Sequence, residues 1–171
     1  MSTRAQVAVA AVVAVASAIG IGIIVSRWVS SGDARTPAPR GLVESAAVAP
    51  FAGYREVRIA IGPKCARVVV ADTESHRAGG LRGTRDLGPY TGMLFVQPSD
   101  STVAFTMAGV RDPLEIAWFG ADGSRVGNAP MRACPQARNG NDCPLYRSPR
   151  EYRTALEVPA GHPLPGQLAP C

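Results

Sequence analysis

From Tyr54 onward the apolar residues of this chain fall mostly at every second position, in short runs that turn signals interrupt. A period of two puts successive side chains on opposite faces of an extended strand, so this part of the chain is committed to β-structure. "YREVRIAI" sets Val57, Ile59 and Ile61 on one face and Glu56, Arg58 and Ala60 on the other, and Gly62-Pro63-Lys64 then turns the chain. Further strands are expected at "CARVVVA", "MLFVQ", "TVAFTM", "LEIAWF", "RVGNA" and "YRTALEV", with "QPSD" read as a turn and Ala121-Asp122-Gly123-Ser124 as a hairpin connection. One segment breaks the pattern. "DTESHRAGG" carries a cap at Asp72 or Thr73, early acids and a terminating Gly79-Gly80, which predicts a short helix. Short strands with frequent turns predict a mainly β domain, a compact sandwich or barrel-like fold with one short helix. Val103, Phe105 and Met107 form one expected core face, and Leu114, Ile116 and Trp118 another.

The other constraint lies at the N-terminus. Residues 7–25, "VAVAAVVAVASAIGIGIIV", hold no charge. As a helix this run spans about 28 Å, close to the ~30 Å hydrocarbon core of a bilayer. Arg4 precedes it and Arg27-Trp28 follow it. It is longer than the apolar region of an ordinary signal peptide, and "SRWVSSG" offers no small-x-small cleavage site. The expectation is a single uncleaved transmembrane helix. Secretion after signal-peptide cleavage is the alternative. Ala10, Ala14, Ala18 and Gly22 recur every four residues, a stripe that suits helix pairing but also arises readily in so Ala-rich a segment. The expected organisation is then a cytoplasmic stub at 1–6, the anchor at 7–25, a flexible Ala/Pro/Gly-rich linker at 26–53 and a folded domain at 54–171.

The net charge of +5 comes from 17 Arg and one Lys among the 18 basic residues. From Tyr54 onward, 14 basic against 11 acidic residues leave +3, with no basic run. Nucleic acid is therefore not an expected partner. The four cysteines, Cys65, Cys134, Cys143 and Cys171, all follow the apolar run. They lack the close pairs of a zinc site or a redox C-x-x-C motif, and an even set suits an oxidising compartment. The domain is accordingly expected outside the cytoplasm, on a single-pass membrane protein, with no metal and no cofactor. Cys134 and Cys143 bracket a turn at Asn139-Gly140, which favours a local bond and leaves Cys65 for Cys171. Four cysteines still permit three pairings.

The order of "VVVADTESHRAGGLRGTRDLGPYTGMLFV", "FTM", "PLEIAWFGADGSRVG", "CPLY" and "YRTALEVPAG" resembles the bacterial domain-of-unknown-function family 192, over about residues 66–162. Arg77, Gly80 and Leu81, then Gly92 to Phe95, then Phe105 and Met107, then Pro113, Leu114 and Ile116 stand at the family's motif positions. The resemblance implies a compact, mostly β domain with a short helix, often secreted or anchored, and no established reaction. This chain departs from the pattern at Thr84, where an Arg is usual, at Glu115, where an Asp is usual, and around Met107. The family commonly has Trp before that Met and Asn-Thr after it, where this chain has Thr106 and "AGV".

Candidate chemistry centres on Glu115 in "PLEIAWF" and Glu157 in "ALEVP", two strand-borne acids with apolar neighbours. Both could face a pocket, one with a raised pKa, and serve acid/base catalysis on an envelope substrate. The plainer reading is two acids on an exposed face or paired with Arg. Arg77 is the natural partner of Glu115, or the contact for an anionic ligand. Phe105 and Met107 would form an apolar floor to such a site, with Met93 or Phe95 as a wall. His76 and His162 are the only histidines, and no nucleophile elbow or phosphate loop accompanies them. The functional expectation is a module binding an envelope ligand, glycan or protein, with the two-carboxylate enzyme as the alternative.

Overall fold

The computed structural model describes residues 34–137 and 140–171. The expected anchor at 7–25 and the stub at 1–6 lie outside the described residues. Among the described residues, no helix is long and apolar enough to cross a membrane.

The chain runs β1 (Ser45–Ala46), β2 (Arg55–Ile61), β3 (Lys64–Ala71), α1 (Glu74–Gly79), β4 (Gly92–Ser101), β5 (Phe105–Thr106), β6 (Leu114–Phe119), β7 (Arg125–Met131), β8 (Leu145–Tyr146) and β9 (Tyr152–Pro159). Seven strands form one sheet in the order β1-β2-β3-β4-β9-β6-β7, and β5 pairs with β8 in a second sheet. Every pairing is antiparallel except β3 with β4, whose connection carries α1. The expectation of a mainly β domain with one short helix holds. The barrel-like or sandwich arrangement does not. The large sheet is open, with β1 and β7 at its edges, and the second sheet has two short strands.

The reason lies in the central strands. "VVVA" in β3, "MLFV" in β4 and "ALEV" in β9 place apolar groups on both faces, as strands covered on both sides do. One face gathers Val69, Met93, Phe95, Ile116 and Trp118, and the other Val57, Ile59, Leu94, Phe119 and Leu156. α1 and the β5–β8 segment belong to the first side. The second is covered by the ends of the chain, through Ala38, Leu42, Leu164 and Leu168. The described part of the expected linker is therefore not free. Arg35 contacts Asp72, Thr36 donates its N–H to the Asp72 carbonyl, and β1 extends the sheet. At the other end Ala60 donates to the Ala169 carbonyl. Cys65 is bonded to Cys171 and Cys134 to Cys143, the expected pairing.

Two local expectations change. "QPSD" is not a turn but a continuation of β4, with a register shift against β9 between Val96 and Ser101. The strand expected over "TVAFTM" shrinks to Phe105–Thr106, so Val103 does not join a core face and is 62% exposed. The Tyr152 hydroxyl donates to the Val103 carbonyl at 2.8 Å and takes the place of a strand partner there. Leu114, Ile116 and Trp118 are buried on one face as expected. Thr73, not Asp72, caps α1, its side chain accepting from the His76 N–H.

Candidate functional site

α1 ends at Gly80, whose φ of +50° lies where L side chains are strained, and the chain turns back over β4. A cleft of about 440 Å³ opens beneath this turn. Arg77, Leu81 and Arg82 form one wall, Phe95 of β4 and Phe105 of β5 the other, and Glu157 of β9 lies among the lining groups. The size and the mostly apolar lining with a few polar groups are those of a small-molecule site.

Glu157 pairs in register with Met93 on β4 and Ile116 on β6, both fully buried on the face that carries Phe95. The strand period thus aims its side chain into that layer. The residue is 4% exposed. Among the described residues its carboxyl has neither a hydrogen-bond nor an ion-pair partner. Burial alone pushes its pKa up to about 8, because no neighbouring charge or donor offsets the lost hydration of the anion. At neutral pH the group is mainly the uncharged acid, able to donate one hydrogen bond and accept another. Gly92 sets how closely β4 approaches β9. A Cβ at Gly92 would collide with the main-chain carbonyl of residue 157, so only glycine fits there whatever side chain stands at 157.

The two arginines are held by main-chain carbonyls. Arg77 donates from Nη1 to Val96 at 3.1 Å, and Arg82 from Nε to Ala108 at 3.0 Å. The Arg82 stem packs over Gly109, where φ is +75° and a Cβ would meet Cγ of Arg82 at 2.6 Å. Phe95 and Phe105 meet edge to face with centroids 5.1 Å apart. Phe105 also contacts the rings of Trp118 and Tyr152.

The structure thus brings together Arg77, Phe95, Phe105 and Glu157 of the residues singled out from sequence. It does not bring Glu115. Glu115 pairs with Val158, whose side chain belongs to the opposite layer, so Glu115 faces away from the cleft. Neither an Arg77–Glu115 contact nor a Glu115–Glu157 catalytic pair exists. Glu115 fails because its strand neighbours Leu114 and Ile116 own the cleft side, and alternation sends Glu115 to the other. Met93 and Met107 are fully buried in the core beneath and do not line the cleft. Sequence reasoning missed Arg82, whose signal was its place in "GGLRG" next to the helix stop. It also missed Glu56. That carboxylate is buried on the strand face opposite Val57, Ile59 and Ile61, and accepts from Arg67 (2.6 and 3.1 Å) and from the Tyr90 hydroxyl (2.7 Å). These bonds, with Arg67 the larger influence, hold its pKa below the usual value against the opposing effect of burial.

The histidines lie elsewhere. His76 stacks on Tyr54 with centroids 3.8 Å apart and contacts the buried Asp72 through Nδ1, while Nδ1 of His162 lies 3.2 Å from the Pro159 carbonyl. No group of three or more potential metal ligands occurs among the described residues.

An open mixed sheet with a buried acid at a cleft under a short helix defines a class of small β domain with a candidate ligand site. The chain belongs to the DUF192 family (Uncharacterized ACR), which it matches over residues 57–164. It is similar to a crystal structure of a protein of unknown function from Novosphingobium aromaticivorans, at 25% identity and a TM-score of 0.54, covering 68% of this chain and 82% of that one. It is also similar to a Sinorhizobium meliloti structure described as a "putative transcription regulator", at 25% identity and a TM-score of 0.50, covering 62% and 80%. No curated protein matches.

Proposed function

We propose that this chain is a membrane-anchored, extracytoplasmic binding module for a small envelope ligand, a fragment of glycan or of an envelope protein, held in the cleft over Glu157. One observation carries the reading. A buried carboxyl with no hydrogen-bond partner among the described residues stands at an open cleft, where a bound molecule can satisfy it. The carboxyl is 4% exposed and is reached through the cleft, so a bound molecule can supply the hydrogen bond that the fold does not. The two disulfides and the charge-free run at 7–25 support the anchored, oxidising location. The acid/base enzyme of two carboxylates loses its geometry with Glu115 on the far face.

The test is a thermal-shift screen of the full-length chain, in detergent, against cell-wall fragments. A ligand at 100 times its dissociation constant adds about 2.7 kcal/mol of stability. Glu157→Leu should remove that gain. A ligand that stabilises both forms equally does not use this cleft. A C-terminal reporter active only in the cytoplasm should stay silent, and its activity would overturn the location.

A further inference from the structure

The charges around the cleft are unbalanced in a specific way. Glu74 and Arg77 of α1 and Arg82 just after it are the ionised groups on the rim. Glu157 is mainly the uncharged acid at neutral pH, and its strand neighbours Met93 and Ile116 are apolar. No carboxylate lies within ion-pair distance of Arg77 or Arg82 among the described residues. Yet both guanidinium groups are anchored, each by one N–H on a backbone carbonyl, which leaves their remaining N–H groups for a ligand. A guanidinium fixed before binding loses little freedom when it clasps an anion, and its planar fork matches carboxylate and phosphate oxygens. The neighbouring hollow of about 400 Å³ is different. It shares Leu81 and Val110 with the cleft, but its Arg85 and Arg111 are matched by Asp86 and Asp112.

We propose that the cleft receives an anionic amphiphile, its carboxylate or phosphate ester facing Arg77 and Arg82 and its apolar body lying along Leu81, Phe95 and Phe105. This rests on the binding reading above and names the chemistry of its ligand. The uncharged Glu157 does not repel the anion, and it gives its proton to a hydrogen bond with an acceptor on the buried end of the ligand.

The experiment uses one apolar body with different heads: 4-phenylbutyrate, 4-phenylbutan-1-ol, 4-phenylbutylamine and, as the phosphate arm, 4-phenylbutyl phosphate. Binding to the full-length chain in detergent is followed by calorimetry at neutral pH. The two acids should bind at least about tenfold tighter than the alcohol or the amine. Arg77→Gln and Arg82→Ala should each weaken the acids about five- to tenfold and leave the alcohol unchanged. Ala104→Trp, which fills the cleft, should abolish all binding while the melting temperature shows the chain folded. Phosphatidylglycerol vesicles identify the source of the anion. Displacement of 4-phenylbutyrate by them points to a bilayer lipid, and no displacement points to a soluble acid. If the alcohol or amine binds as tightly as the acids and Ala104→Trp still blocks it, the anion is wrong and the binding site stands. If no probe and no cell-wall fragment binds, both readings fall.

Discussion

Two buried glutamates in one sheet have opposite fates. Glu56 on β2 and Glu157 on β9 are about equally hidden, at 6% and 4% exposure. Glu56 accepts from Arg67 and Tyr90, and its pKa is lowered. Glu157 accepts from nothing among the described residues, and its pKa is raised. Their exposure is alike, but Glu157 lies deeper in the molecule, and this depth adds to the difference in what stands opposite. Across from Glu56 the sheet places a cation and a hydroxyl, and the acid becomes a staple between β2, β3 and the loop bearing Tyr90. Across from Glu157 it places two apolar strand neighbours and an opening. The same residue type is structural where its partners are built in and available for binding where they are left out.

The sharpest way to break this comparison is titration. Glu157 has a folded pKa near 8 against an ordinary 4.5, so folding takes up a proton between these values. Its adverse effect is absent below about pH 4.5, grows by about 1.4 kcal/mol per pH unit, and levels off above about pH 8. Urea unfolding across that range should show stability falling as pH rises, by on the order of 4–5 kcal/mol in all, and Glu157→Gln should flatten the slope. An unchanged slope in Glu157→Gln would falsify the picture of an uncompensated acid. Glu56 has the opposite sign: its lowered pKa gives stability that is present above the ordinary value and lost as pH falls through the folded one. Wild-type stability should therefore peak near pH 4.5–5.

Removing the partnered acid comes next in size. Glu56→Ala strands Arg67 and the Tyr90 hydroxyl, and should cost about 3 kcal/mol at pH 7, read as a lowered urea midpoint. At the same pH Glu157→Gln should be neutral or stabilising. If both substitutions cost the same, the two acids are not different in kind. Tyr90→Phe keeps the ring but removes one donor to Glu56 and the acceptor used by the Val48 N–H, for about 1–2 kcal/mol. Smallest is Arg77→Gln, which surrenders a half-exposed contact to the Val96 carbonyl. It should change stability by less than about 1 kcal/mol, with its effect confined to ligand affinity.

Much of this was legible in the chain. Short apolar runs bounded by turn signals placed six of the large-sheet strands, because such runs are a local property of each segment. The helix over "ESHRAG" was legible from its cap and its glycines, and the disulfides from a local turn and the pair that remained. The residues that failed share one cause. Val103 sits just past the register shift between Val96 and Ser101, and its carbonyl is met by the Tyr152 hydroxyl 49 residues away. Residues 34–53 read as linker because Ala, Pro and Gly carry no period, yet Arg35 meets a carboxylate 37 positions later. Local pattern gives each strand two faces and does not say what either face meets.

That limit decides the two acids that looked alike. In sequence Glu115 and Glu157 have the same apolar company, and nothing local separates them. Strand order does. β9 lies between β4 and β6, so Glu157 points into the layer beneath the α1 turn, while Glu115 sits one residue out of phase with Ile116 and points to the other side. The β character and the short helix follow from the sequence by itself, since short-range sterics and turn chemistry act within a segment, while the cysteine pairing was favoured by a local turn and fixed only by the fold. Which glutamate lies at the cleft, and which buried one is neutralised, only the tertiary structure decided, because hydration and partner charge are set by groups far apart in the chain.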